Sequence, residues 1–249
     1  MQLHPAIFIR EVLGDKLDEN QMAIVEAVSQ FDRVAVASCH SIGKTFVTAR
    51  LALWYLYCFP FSFVLTTAPT DRQVSFLLWG EIAKAWRNAR VRLGGKFSPS
   101  KNMLSVEDRE WYALGFSPQT AGKPEQMADV IEQQKVVFQG WHGDFIMVIL
   151  DEAVGVTPDV WTQIEGLLTS GKLVKVLALG NPTTKNCKFY NVFYSDIWKS
   201  LNIDCFKTQN MIANGLTDMA KLKKRMDSLM ELSADDRLHA LKNLSLIHI

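Results

Sequence analysis

Cysteine is scarce in this sequence. The four present (Cys39, Cys58, Cys187 and Cys205) show none of the close spacings of a metal-ligand set. Reduced cytosolic thiols are the default reading. A charge surplus is lacking too: 27 Lys and Arg meet 26 Asp and Glu, for a net charge of +1. No global basic field holds nucleic acid, so any DNA contact must come from a local patch or from a partner. No signal peptide opens the chain. Residues 46–67, the most apolar stretch, are interrupted by Arg50 and Pro60, whereas a membrane span needs about twenty unbroken apolar residues. A buried helix followed by a buried strand fits better, and the chain reads as soluble with no membrane partner.

What is present is ordinary globular composition, 48% apolar and 21% charged over 249 residues. That suffices for one large α/β domain or two small ones. The organising stretch runs from Val34 to Thr45. A short β-branched run ends in Ser38-Cys39-His40-Ser41-Ile42-Gly43-Lys44-Thr45, and a helical pattern follows. Strand, loop and helix in this order make the layout of a phosphate-binding P-loop. Gly43 lets successive N–H groups turn inward at phosphate oxygens, and the helix beginning near Lys44 adds the positive end of its dipole. Lys44 would reach the β- and γ-phosphates and the Thr45 hydroxyl would ligate Mg²⁺. Ser38 stands where the pattern usually begins with glycine.

A second landmark lies downstream. Phe145 to Leu150 is a wholly apolar strand that ends in Asp151-Glu152, the Walker B arrangement. Asp151 would hold the Mg²⁺ shell, and Glu152 would orient and deprotonate the attacking water. As neighbours on a strand end, the two side chains are expected to point to opposite sides. Asp18 and Gln21 fit a capping box that needs no ligand; Gln21 could instead contact an adenine edge. Leu173 to Leu179 is another buried strand, and at its end Asn181 or Thr183 could sense the γ-phosphate, although Asn-Pro is also an everyday turn signal.

Periodicity fills in the rest. Helices are expected from Asp18, over residues 46–59, over 71–92 behind a Thr70 cap, and from Thr157 to near Gly171. An aromatic helix should carry Phe189, Tyr190, Phe193, Tyr194 and Trp198. Strands are expected over residues 62–67, 103–106, 111–116 and 203–208. The polar segment 117–143 has no firm assignment. From Asn210 the composition turns to charged helix, residues 218–244, and the end at Ile249 is abrupt enough to suggest a truncation.

Together these motifs resemble the ATPase domain of the large terminase subunit of tailed bacteriophages. The matching residues are Gln21, Ser38 to Thr45, Thr66 to Thr70 with Arg72-Gln73, Leu150 to Ala153 and Gly180 to Thr183, within roughly residues 15 to 210. The resemblance implies an α/β fold: a P-loop NTPase core of the additional-strand, RecA-like kind, a mostly parallel sheet with helices on both faces. It implies ATP and Mg²⁺ as cofactors, Gln21 on adenine, residues 38–45 on phosphate, and Gly180 to Thr183 coupling hydrolysis to movement. It also implies double-stranded DNA, a portal protein and a small terminase subunit as partners, a homo-oligomer on the portal, and the host bacterial cytoplasm as location. Domain limits of 1–210 for the ATPase and 211–249 for a helical tail or linker follow, with no carboxylates after Asn210 spaced like a two-metal nuclease site.

Two departures stand out. Many terminases carry an arginine in the Walker A loop where this chain has His40, so an arginine trigger would come from elsewhere, with Arg72 and Arg109 as candidates. The nuclease half is also missing from the sequence. A helicase-like nucleic-acid ATPase, or a nucleotide-gated assembly module with little turnover alone, are the other readings.

Overall fold

The computed structural model describes residues 3–39, 42–107, 111–117, 144–167 and 171–203. Apolar β-branched runs form eight strands: β1 (Arg33–Ser38), β2 (Phe63–Thr67), β3 (Lys96–Ser98), β4 (Met103–Ser105), β5 (Tyr112–Phe116), β6 (Phe145–Leu150), β7 (Leu173–Gly180) and β8 (Lys199–Ile203). They make one sheet in the order β3-β4-β5-β2-β6-β7-β1-β8. The ladders from β5 through β8 are parallel, and only β3-β4-β5 run antiparallel.

The strand after the P-loop region is not the neighbour of β1. Instead β7 lies between the P-loop strand β1 and the Walker B strand β6, pairing Ala35 with Ala178 on one side and Val148 with Val176 on the other. That insertion is the additional-strand arrangement the resemblance implies.

Side-chain alternation divides the core in two. Val34 and Val36 of β1, Met147 and Ile149 of β6, and Leu177 and Leu179 of β7 join one apolar cluster. Ala35 and Ala37, Val148 and Leu150, and Val176 and Ala178 join the other. The first face is covered by helices Glu19–Gln30, Lys44–Cys58 and Trp79–Arg87, and the second by Pro158–Leu167 and Lys188–Phe193. Helices on both faces explain why the central strands are apolar throughout.

Helix Lys44–Cys58 is buried at eleven positions, because it is itself roofed. The Trp54 indole donates to the Leu3 carbonyl at 2.7 Å, and Arg50 reaches the Asp15 carboxylate at 2.9 Å and that of Glu81. One cation thus ties together the N-terminal segment, the P-loop helix and helix Trp79–Arg87. Its guanidinium also sits 3.5 Å from the Phe46 ring centre.

Several elements differ from the expectation. The helix expected over 71–92 is π-bonded over Gln73–Leu78 and α-helical only from Trp79 to Arg87. Thr70 does cap it, reciprocally: Gln73 N–H donates to the Thr70 hydroxyl, and the Gln73 side chain accepts from Thr70 N–H. The helix stops at Arg87, and the N–H groups of Arg90 and Val91 then bond to the carbonyls of Leu13 and Val12. The aromatic helix covers only Lys188–Phe193, so Tyr194 and Trp198 lie beyond it. The last described strand begins at Lys199 rather than at Ile203, since its Val34-to-Ser38 ladder fixes the register. The helical start Pro5–Leu13 and strand β3 were not expected. Residues 204–208, the helix expected over 218–244, most of 117–143, and Arg109 lie outside the described residues, as do His40 and Ser41.

Candidate functional site

Gly43 ends the loop after β1 with φ 84° and ψ 24°, a left-handed conformation open to glycine at little cost. That turn starts the helix at Lys44 and aims its N-terminus at the carboxyl end of the sheet. Ser38 closes β1 and is buried, as are Cys39 and Ile42. The Lys44 side chain is almost wholly buried, and its ammonium donates to the Cys39 carbonyl at 2.8 Å. The same ammonium is 3.8 Å from Glu152 Oε1.

Across the sheet, β6 delivers the two carboxylates. The Thr45 hydroxyl donates to Asp151 Oδ2 at 3.5 Å, and Asp151 Oδ1 accepts from Glu152 N–H at 3.1 Å. Burial of Asp151 and the neighbouring negative charge of Glu152 push its carboxyl up to about 6; the Lys44 ammonium opposes them. The expectation that the carboxylates diverge is overturned. The strand ends at Leu150, and Glu152 takes a left-handed backbone conformation, φ 50° and ψ 46°. Strand alternation therefore no longer governs these two residues, and both reach the P-loop, one at Thr45 and the other at Lys44. A non-glycine residue in this region costs on the order of 1–3 kcal/mol.

The turn is braced from β2. Asp151 N–H donates to the Thr67 carbonyl at 2.8 Å, and Pro69 lies so close to Gly155 that a Cβ there would approach Pro69 Cγ at 2.7 Å. Thr67 belongs to the matching run, whereas nothing in the sequence singles out Gly155. The Thr66-to-Thr70 run was the available signal.

Gln21 forms the capping box. Its Oε1 accepts from Asp18 N–H at 3.1 Å while its own N–H donates to Asp18 Oδ1 at 2.8 Å, so the capping box is formed. Its amide nitrogen also lies directly over Gly43, 2.3 Å from where a Cβ would stand. The residue caps its helix and packs against the P-loop at once.

Asn181 is buried at the tip of β7, one residue past Gly180, which pairs with Ala37 of β1. It therefore stands between the two motif strands. Thr183 N–H donates to the Asn181 carbonyl at 2.7 Å, but Thr183 itself is not buried with it. That residue is exposed and lines a cavity of about 340 Å³ with Lys185, Tyr190 and Tyr194, reached from Ala37 and thus on the face opposite the P-loop helix. Arg72 is exposed just past the end of β2.

The donor set suits a small hard cation: one hydroxyl and one buried carboxylate, all oxygen, facing each other. Magnesium is commonly held in this way, by one or two protein oxygens with phosphate and water supplying the rest. Among the described residues no group of three or more His, Cys, Asp or Glu forms a metal cage. No described helix is long and apolar enough to cross a membrane.

No protein-family model matches the chain. A curated protein named probable terminase, large subunit, of Enterobacteria phage P7 is 27% identical over 176 residues, 69% of this chain and 33% of that protein. The chain thus spans about a third of the length of the curated relative it matches. Among solved structures, the large terminase ATPase domain of Thermus phage P74-26 is similar with a TM-score of 0.65 at 19% identity, covering 95% of this chain and 96% of that one. The large terminase of bacteriophage HK97 has a TM-score of 0.62 at 16% identity, over 83% of this chain and 45% of that one. A large terminase from a thermophilic bacteriophage, solved in complex with ADP, gives 0.54 at 14% identity over 88% and 51%. These likenesses in structure establish the fold, which the chain shares with the solved ATPase domains of phage large terminases, and in sequence the chain is similar to the relative from phage P7.

Proposed function

We propose that this chain is an ATP-hydrolysing motor domain that drives double-stranded DNA into a procapsid. The observation that carries the reading is the convergence of Lys44, Thr45, Asp151 and Glu152 at the carboxyl ends of β1 and β6. Lys44 holds the β- and γ-phosphates, released from the Cys39 carbonyl as phosphate oxygens take its protons' hydrogen bonds. Thr45 and Asp151 hold Mg²⁺, which when bound neutralises charge on the phosphate oxygens. Glu152 accepts the proton of the attacking water as the γ-phosphoryl group leaves ADP. Gln21 faces the nucleotide base, and Gly180 to Thr183 transmits hydrolysis to movement.

Residues 1–210 form the ATPase unit and 211–249 a helical tail or linker. The partners in this reading are duplex DNA, a portal protein, a small terminase subunit and further copies of the chain, in the host cytoplasm. The test is phosphate release from Mg²⁺–ATP by the purified chain, with and without duplex DNA. Turnover that disappears in Glu152→Gln while nucleotide binding persists supports the reading. A wild-type chain that binds ATP and never hydrolyses it, even with DNA and portal present, would sink it.

A further inference from the structure

The charges of this chain are balanced in number and segregated in space. Between Lys84 and Lys101 the sequence holds six cations and no acid, so the remainder of a chain of net charge +1 is net acidic. All six (Lys84, Arg87, Arg90, Arg92, Lys96 and Lys101) are exposed. Only Arg90 has a carboxylate partner among the described residues, Glu11 at 3.8 Å, in a pair exposed on both sides and therefore weak. Of the other acids nearby, Glu81 and Asp15 are taken by Arg50, and Glu107 is exposed one residue past the Val106 on which Gly95 packs.

The backbone carrying these cations is fixed, and of the side chains Arg87 donates from Nε to the Ala83 carbonyl at 3.1 Å while Arg90 meets Glu11. Arg90 and Val91 are bonded to Leu13 and Val12, and the Tyr57 hydroxyl donates to the Gly94 carbonyl at 2.5 Å. Trp86 stacks on Phe97 at 5.9 Å, joining helix Trp79–Arg87 to β3. Gly95, at φ 105°, turns the chain into β3 so tightly that a Cβ would meet the Ser105 carbonyl at 2.5 Å. Lys84 and Arg87, three residues apart, share one helix face. Helix Trp79–Arg87 runs back from the carboxyl end of β2, so Arg87 to Lys96 lie at the far end of the sheet from Lys44 and Asp151.

We infer that this pinned, cation-rich ridge from Lys84 to Lys96 is the surface on which the phosphate backbone of double-stranded DNA lands. The inference rests on the motor reading for its choice of polyanion. The geometry supplies the rest: exposed cations on a rigid frame, carried by a segment that holds no acid of its own. Duplex DNA presents about one negative charge per 1.7 Å of axis, and each phosphate neutralised by Lys or Arg releases counterions. Contacts of this kind position without reading sequence, as a protein that must travel along DNA requires.

The experiment measures binding of a labelled random-sequence duplex to the full chain across roughly 50 to 200 mM salt. Lys84→Gln with Arg87→Gln should flatten the slope of log affinity against log salt by about 1.8, and Arg92→Gln with Lys96→Gln should do the same. A control pair on the other face, Lys185→Gln with Lys188→Gln, should leave the slope unchanged. Basal ATP hydrolysis should be unaltered in all three, since none of these residues lies at the P-loop. Unchanged slopes in both ridge pairs, or a wild type that binds no duplex at the lowest salt, overturn the ridge. Absence of ATP hydrolysis in a wild type that binds DNA through the ridge instead defeats the motor reading alone.

Discussion

The side-chain amide nitrogen of Gln21 covers Gly43, 2.3 Å from where a Cβ would stand. Two constraints therefore meet at Gly43, the left-handed φ of 84° and the roof formed by Gln21. Gly43→Ala should cost about 1–2 kcal/mol from the backbone alone and lose ATP binding as the loop shifts. Adding Gln21→Ala should relieve the clash and leave the backbone cost. Denaturant midpoints for the single and double variants check this; equal stability of Gly43→Ala and wild type would contradict it.

Lys44→Ala should abolish measurable ATP affinity with the fold intact, because its ammonium meets only a loop carbonyl and Glu152. Calorimetric titration with nucleotide, beside circular dichroism, is the measurement. Equal affinity in mutant and wild type would remove the P-loop reading.

The convergence of the carboxylates separates their roles by partner rather than by direction. Asp151 faces the Thr45 hydroxyl, so Asp151→Asn should weaken Mg²⁺–nucleotide binding together with turnover. Glu152 faces Lys44, and Glu152→Gln should lower turnover by roughly 10²–10⁴ while ATP still binds. Single-turnover hydrolysis run beside equilibrium binding distinguishes the two; near-wild-type hydrolysis by Glu152→Gln would refute the assignment.

Asp151 also makes stability depend on pH. Its carboxyl titrates near 6 in the folded chain against 3.8 ordinarily, chiefly because it is buried. The folded chain therefore holds that proton more tightly than the unfolded one. The cost of ionising Asp151 is absent below about pH 4, grows as pH rises through 6, and is complete above it, reaching about 3 kcal/mol at most. Asp151→Asn should accordingly be more stable than wild type at pH 8, with the gain vanishing toward pH 4. Melting without nucleotide or metal across this range tests it; a variant less stable at pH 8 would count against it.

Arg50→Met should destabilise the chain by about 3 kcal/mol, since it strands the Asp15 and Glu81 carboxylates beneath the roof of the P-loop helix. Combining it with Glu81→Gln should recover part of the loss. A double variant no more stable than the single one would show that Glu81 is not coupled to Arg50.

Much of this was legible in the sequence where local chemistry decides the outcome. The P-loop turn at Gly43, the capping box of Asp18 and Gln21, the Thr70 cap and the apolar strands over 145–150 and 173–180 all follow from residue types at fixed spacing. What was not legible depends on distant partners. Arg50 reads as a charge inside an apolar run, and only the fold brings Asp15 and Glu81 to it. Glu152 carries no glycine-like signal for its left-handed turn. The early end of helix Trp79–Arg87 follows from backbone bonds to Leu13 and Val12, some eighty residues upstream.

The position of β7 between β1 and β6 has a metrical consequence. Adjacent strands lie about 4.8 Å apart, so the Walker A and Walker B strands are held roughly 10 Å apart by two backbone ladders. That gauge is written in main-chain hydrogen bonds and is indifferent to the side chains mounted at its ends. Substitutions at Lys44, Asp151 or Glu152 should change what happens in the gap without changing its width, so a variant that cannot turn over still offers nucleotide a slot of the native span.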